Sequence, residues 1–400
     1  MNLTLLIDLD DTLLPGSTAN FLPVYISALA DYMDLPIPKE KFIEIIYWAT
    51  NQAVNDSQID LTIQERFDML FYPALGTSAE AQAEKIGRFY AEEFPKFSPV
   101  SQPDPQAVAL IETAFEKGYR VAIATNPIFP RVATFERLRW AGVAPEKYPL
   151  EIVSTYENFH FGKPHLAFYL EMLAQIGWPE GGFVMVGDNQ EWDIEPAKAL
   201  GIPSYWVHPD SGPADLTADH TGGGLDQVHA WIEARSEDAL TLNLTGFADT
   251  LECLRANPAA IDTLLRQAPA SIWEPGPQQA EWQVNQILCH LRDVDREVHI
   301  PRLEAIRDEE SPFLPAIDAD SWAEERQYHL QDGRQAWRDF IDARKTLLDL
   351  AESLPEAAAD KEIRHSIFGP IELDEIIRIA GRHDSLHVQQ IIEQIRIKTG

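Results

Sequence analysis

The sequence predicts two domains in tandem: an α/β doubly wound parallel sheet with an inserted helical cap, followed by an all-α four-helix bundle. Three observations carry this expectation. At 400 residues the chain exceeds the roughly 250 to 300 that a single hydrophobic core serves. Up to about residue 210, short apolar runs alternate with amphipathic stretches, the pattern of strands joined by helical crossovers. Beyond residue 240 that alternation stops, and only long segments with helical apolar spacing follow. A 45% hydrophobic content, with aromatics making up 10% of the chain, supplies material for both cores.

In the first part, Leu3 to Asp8, Tyr119 to Thr125, Glu151 to Ser154, Phe183 to Gly187 and Ser204 to Val207 read as strands. Their near-continuous apolar content suits strands covered by helices on both faces. Residues 15–100 interrupt the first crossover with FIEIIYWATNQAV, ERFDMLFYPAL and AEKIGRFYAEEF, apolar at helical spacing, and read as a cap. Its aromatics, Phe42, Tyr47, Trp48, Phe67, Phe71 and Tyr72, are expected to pack the cap's own core. A patch of them facing the site would favour a substrate with a ring. Leu225 to Ala234 reads as the last helix of this domain, which spans residues 1–235. A linker at 236–242 leads to the bundle at 243–400, with no convincing strand. Its helices are expected at Leu242 to Asn257, Gln279 to Ile306, Ala323 to Ser353 and Leu373 to Lys398. Between them lie the breakers APASIWEPGPQQ, EESPFLPAIDADS and FGPIELD.

Charge narrows the partners. With 32 Lys and Arg against 64 Asp and Glu, the net charge is -32, which argues against nucleic acid and against anionic membranes. No run approaches the roughly 18 uninterrupted apolar residues of a membrane span, and the opening MNLTLLIDLDD carries no basic leader. The expected compartment is the cytoplasm. The only cysteines, Cys253 and Cys289, are too few for a disulfide framework and are expected to be packed thiols.

Carboxylates stand where apolar strands end. LLIDLDDTLL puts Asp8 and Asp10 at the carboxyl end of the first strand, where open α/β sheets place ligands. VAIATNP adds Thr125 and Asn126 at the same rim, FGKP adds Lys163, and VMVGDNQEWDI adds Asp188 and Asp193. This set suits phosphoryl transfer. A carboxylate attacks phosphorus, hard oxygens bind Mg²⁺, and a hydroxyl, an N–H and an ammonium neutralise the equatorial oxygens. A second acid two residues from the nucleophile can protonate the leaving alkoxide and then activate water.

DLDDT, ATN, GKP and GDNQEWD, in that order, resemble the four motifs of the haloacid dehalogenase superfamily over about residues 1–235. The resemblance implies that Asp8 is the nucleophile and a Mg²⁺ ligand. It makes Asp10 the general acid/base, whose main-chain carbonyl also touches the metal. Thr125, Asn126 and Lys163 would hold the phosphoryl group, and Asp188 and Asp193 the metal. An acid at Asp10 favours phosphate esters over halide displacement, since halide leaves unprotonated. The expected substrate is a small phosphorylated metabolite.

The second constellation is histidine. All 11 histidines lie after residue 159. His383 and His387 share one helix face in RHDSLHVQQI, and His290 lies beside the apolar stripe of WQVNQILCHLRDVDREV. Three imidazoles converging in a bundle would form an open metal site. Cys289 adjoins His290 but points about 100° away around the helix, so a shared coordination sphere is not expected. His299, His329 and His365 read as ordinary polar residues. WQVNQILCHLRDVDREV, SPFLPAIDADSWAEERQY and FGPIELDEIIRIAGRHDSLHVQQI resemble the DinB-like bundle family from about residue 241 onward. Its histidine triad maps onto His290, His383 and His387, which implies a divalent metal: Zn²⁺, with Ni²⁺ and Fe²⁺ as alternatives. Two further readings of the bundle follow: a metal-dependent thiol transferase that handles a damaged metabolite, or a noncatalytic module for sensing or homodimerisation.

Overall fold

The computed structural model describes residues 2–100, 103–208, 215, 218–244, 246–274 and 281–399. They form two compact units, Met1–Met172 with Pro179–Asn243, and Leu173–Trp178 with Leu244–Gly400.

In the first unit six parallel strands form one sheet in the order β3-β2-β1-β4-β5-β6. They are β1 (Leu3–Ile7), β2 (Arg120–Ile123), β3 (Ile152–Val153), β4 (Gly182–Gly187), β5 (Ser204–Val207) and β6 (His220–Gly223). Every residue of β1 and β4 is buried, as strands covered on both faces must be. The five expected strands are all present, some shorter at their ends. The sixth was not expected because HTGG offers no apolar run; it forms by pairing with β5 at the sheet edge.

Between β1 and β2 lie four helices of the cap, α1 (Leu22–Met33), α2 (Lys39–Asn55), α3 (Ile63–Ala74) and α4 (Ala79–Arg88). A capping box starts α3: the Thr62 hydroxyl accepts from the Glu65 N–H, and the Glu65 carboxylate accepts from the Thr62 N–H. The crossovers carry α5 (Pro105–Glu116), α6 (Arg131–Trp140), α7 (Leu166–Gln175) and α8 (Glu195–Ala199), and two short helices, α9 (Val228–Glu233) and α10 (Glu237–Leu240), close the unit.

The second unit is helical: α11 (Phe247–Gln267), α12 (Val284–Val294), α13 (Ile300–Asp308), α14 (Trp322–Glu325), α15 (Gly333–Glu352) and α16 (Leu373–Thr399). A π turn at Asp295–His299 joins α12 to α13, so the second expected helix runs unbroken from Val284 to Asp308, while its expected start at Gln279 lies outside the described residues. Within this unit α11 packs on α16 and α12 on α15.

Three expectations need correction. The first bundle helix does not end at Asn257 but continues through Pro258, because the buried stripe Ala259, Ala260, Ile261 and Leu265 continues with it. The third splits at Gln327, which takes a left-handed φ of 52°, and α15 restarts at Asp332, whose carboxylate accepts from the N–H groups of Arg334 and Gln335. The second unit also has strands: β7 (Phe313–Leu314) and β9 (Gly369–Ile371), within two of the breakers, form a small sheet with β8 (Ile363–His365). Residues 275–279 of the first breaker lie outside the described residues. Among the described residues no helix is long and apolar enough to cross a membrane.

Candidate active site and histidine cluster

The parallel sheet brings the carboxyl ends of β1, β2 and β4 to one rim. After Asp8 the chain turns sharply: Leu13 and Leu14 both donate to the Leu9 carbonyl, Asp11 donates to Leu14, and Asp11 takes a φ of 59°. Carboxylate oxygens of Asp8, Asp188 and Asp193 gather within 4.8 Å of one another. Lys163 is buried against them, its Nζ donating to Asp8 Oδ1 at 2.8 Å and to Asp193 Oδ1. The second oxygen of Asp193 accepts from the Asn189 N–H at 3.0 Å, and Asp188 accepts from the Thr12 hydroxyl at 3.3 Å. Glycine is required at 187, where a Cβ would stand 2.3 Å from the Asp193 carboxylate.

Asp10 and Thr125 lie beside this cluster. The buried Arg137 guanidinium pairs with the Asp10 carboxylate, and the Thr125 hydroxyl donates to it at 3.4 Å. Arg137 is held by Phe129, whose ring centre lies 4.5 Å from its Cζ. Asn126 accepts from the Lys163 main-chain N–H at 3.2 Å, and a Cβ on Gly162 would come within 2.9 Å of the same Asn126 oxygen. Asp8, Asp10, Asn126, Lys163, Asp188 and Asp193 line one cavity of about 270 Å³, together with Arg137 and Trp192.

Electrostatics explain what such a cavity favours. Burial, then the charges of Asp8 and Asp193, push the Asp188 carboxyl up to about 7. Burial raises Asp193 as well, and Lys163 opposes that rise. Burial alone would lower the Lys163 ammonium, but Asp193 and Asp8 more than offset it, so Lys163 stays charged. Three carboxylates facing one ammonium leave an excess of negative charge, the donor set of a hard divalent cation.

In the helical unit His290 of α12 meets His383 and His387 of α16. The Nε2 of His383 lies 2.9 Å from that of His290 and 3.1 Å from that of His387. Burial, then the neighbouring imidazoles, push His290 down to about 2; burial and His383 push His387 to about 4, so both rings are neutral and free to ligate. Three nitrogens at this spacing fit one transition-metal ion with an open position. Trp282 walls the cluster, its ring centre 4.9 Å from that of His290. Cys289 turns away to Gln331 at 3.4 Å, and burial pushes its thiol up to about 11.

Several neighbours escaped the sequence reading. Arg344, fully buried, grips both oxygens of Asp295 at 2.8 and 3.1 Å and Asp384 at 2.6 Å. The other Asp384 oxygen lies 3.6 Å from His383 Nδ1. A signal existed, since Asp295, Arg344 and Asp384 are charges within apolar helical stripes. His299 is buried rather than an ordinary polar surface group, its ring centre 6.1 Å from that of His383. Arg137 had no such signal, because it is one of three arginines in RVATFERLR and nothing in that run marks it out. Of the cap aromatics, Phe42 is buried and Trp48 is exposed, whereas Tyr47, Phe67, Phe71 and Tyr72 border a cavity.

Residues 3–201 match the haloacid dehalogenase-like hydrolase family, and residues 254–391 match the DinB superfamily. The glyceraldehyde 3-phosphate phosphatase of Methanocaldococcus jannaschii is 31% identical over 101 residues, 25% of this chain and 42% of that protein. The chain thus spans less than half of that relative. The pyrimidine 5'-nucleotidase PynA of Streptococcus pneumoniae is 24% identical over 262 residues, 63% of this chain and 95% of that protein. Among solved structures, YfiT from Bacillus subtilis, described as a probable metal-dependent hydrolase with an unusual four-helix bundle topology, covers 40% of this chain and 91% of its own, at 16% identity and a TM-score of 0.34. The chain therefore belongs to the haloacid dehalogenase-like hydrolases through residues 3–201 and to the DinB superfamily through residues 254–391.

Proposed function

We propose that the first domain, residues 1–235, is a Mg²⁺-dependent phosphatase that hydrolyses a small phosphomonoester through an aspartyl-phosphate on Asp8. The observation that carries this reading is the buried Lys163 ammonium shared by Asp8 and Asp193 beside Asp188. Asp8, Asp188 and Asp193, with the Asp10 carbonyl, would hold the ion. When bound, Mg²⁺ supplies positive charge to the phosphoryl oxygens and favours the ionised form of all three acids. Lys163 holds one Asp8 oxygen and leaves the other to attack phosphorus. Thr125 and Asn126 offer a hydroxyl and an N–H to the equatorial oxygens. As the P–O bond to the leaving group breaks, Asp10 gives that oxygen its proton. Water then attacks phosphorus, Asp10 takes the water proton, and inorganic phosphate leaves with Asp8 restored. Arg137 fixes the orientation of Asp10. Hydrolysis of an aryl phosphate with Mg²⁺ by wild type and by Asp8→Asn tests this; equal rates would remove the nucleophile.

The bundle, residues 243–400 after a linker at 236–242, is read as a divalent-metal site on His290, His383 and His387, with Zn²⁺ favoured by three imidazoles. The three converging Nε2 atoms support it. A metal-dependent transferase and a sensing or dimerising module are both compatible with that site. Metal analysis of the whole chain, with and without His383→Ala, decides whether the site binds metal at all; equal content in the two would refute it. No nucleic-acid or membrane partner is proposed, and the compartment proposed is the cytoplasm.

A further inference from the structure

The cap holds a second cavity, of about 110 Å³, bordered by Tyr25, Tyr47, Phe67, Phe71, Tyr72 and Tyr90. It adjoins the candidate active site, since Leu22, Ile128 and Phe129 border both. Among its lining residues none is Asp, Glu, Lys, Arg or His. Its polar atoms are hydroxyls, and two of these satisfy each other, Tyr25 and Tyr90 at 2.7 Å. Burial pushes the Tyr25 and Tyr72 phenols up to about 12, so they bring no charge.

Size and polarity together select the occupant. A cavity of roughly 150 Å³ lined by apolar side chains binds benzene; at about 110 Å³ this one is smaller, so a single small ring or a short branched chain is the most it can hold. A carboxylate, an ammonium or a second phosphate on the leaving group would lose its hydration and meet no counter-charge. A nucleobase, with several donors and acceptors along its edge, would find only the hydroxyls of Tyr47, Thr50, Tyr72 and Tyr156 to pair with. Resting on the phosphatase reading above, we propose that this cavity is the leaving-group subsite and that the substrates are monophosphates of small, uncharged aromatic or branched alcohols.

The test compares four phosphates with Mg²⁺: acetyl phosphate, whose leaving group is too small to fill the cavity, benzyl phosphate, O-phosphoserine and uridine 5'-monophosphate. Expected is a kcat/KM for benzyl phosphate on the order of 100-fold above those for O-phosphoserine and the nucleotide. Thr50→Phe, which fills the cavity from α2, should remove most of that preference while acetyl phosphate turnover stays unchanged. Tyr47→Ala, at a half-exposed rim position that tolerates truncation, should lower benzyl phosphate selectively and serves if Thr50→Phe does not fold. O-phosphoserine or the nucleotide matching benzyl phosphate would overturn the subsite, as would a benzyl-to-acetyl ratio unmoved by either variant. Acetyl phosphate turnover no faster in wild type than in Asp8→Asn would overturn the phosphatase reading, and the subsite with it.

Discussion

The acid cluster at the sheet rim and the histidine cluster in the helical unit each gather three potential ligands, yet they balance charge in opposite ways. At the rim the ligands themselves are charged, and Lys163 lies among them as an internal counter-ion. In the helical unit the potential ligands are imidazoles, and the charges, Asp384, Arg344 and Asp295, form a buried chain behind them. The first arrangement suits a hard cation held with a phosphate dianion, the second a borderline-soft ion held by nitrogen. The difference teaches that the two clusters respond differently to the same perturbation.

Removing a charge breaks the comparison most strongly at the proposed nucleophile. Asp8→Asn should lower phosphatase turnover by about 10⁴-fold or more, measured as phosphate release. Next is Arg344→Met, which leaves Asp295 and Asp384 buried without a partner. It should destabilise the helical unit by about 3 to 5 kcal/mol in chemical denaturation and leave the rim chemistry intact. Lys163→Met should cost turnover about 10²- to 10³-fold, because it removes a donor aimed at the reacting oxygens. Gly187→Ala, which thrusts a methyl at the Asp193 carboxylate, should raise the Mg²⁺ concentration needed for half-maximal activity about tenfold.

Acid–base behaviour sharpens the contrast further. In the metal-free chain Asp188 titrates near 7, above its ordinary value of 3.8. Its contribution to stability is therefore complete below about 4 and lost as pH rises through about 7. His387 runs the other way: with a folded value of about 4 against 6.5, its contribution is present above 6.5 and lost as pH falls toward 4. Thermal unfolding in a chelator should show the two units changing in opposite directions between pH 4 and 7. Mg²⁺ should remove the slope of the first, because a bound cation favours ionised Asp188.

Much of both clusters was legible before any coordinates. Asp8, Thr125 and Asp188 end strands that their own apolar residues announce, and His383 and His387 share a face by helical spacing alone. The rest was hidden for identifiable reasons. Arg137 reaches Asp10 only because α6 packs its buried face toward the rim, and a helix with charges on several faces does not reveal which arginine turns inward. Strands β7 to β9 consist of two or three residues each, too short for any periodicity to appear. The division of the cap aromatics between wall and core depends on the mutual rotation of α2 and α3. Their spacing places Tyr47 and Phe67 on helices and leaves that rotation open.

The central claim is a phosphoryl group carried by Asp8. The most direct measurement is acid quenching of turnover with a ³²P-labelled phosphomonoester and Mg²⁺, followed by peptide mapping. The account predicts label on the peptide that contains Asp8, absent from Asp8→Asn and released by hydroxylamine as an acyl phosphate. Steady phosphate release with no label on that peptide, and with turnover retained in Asp8→Asn, would contradict it.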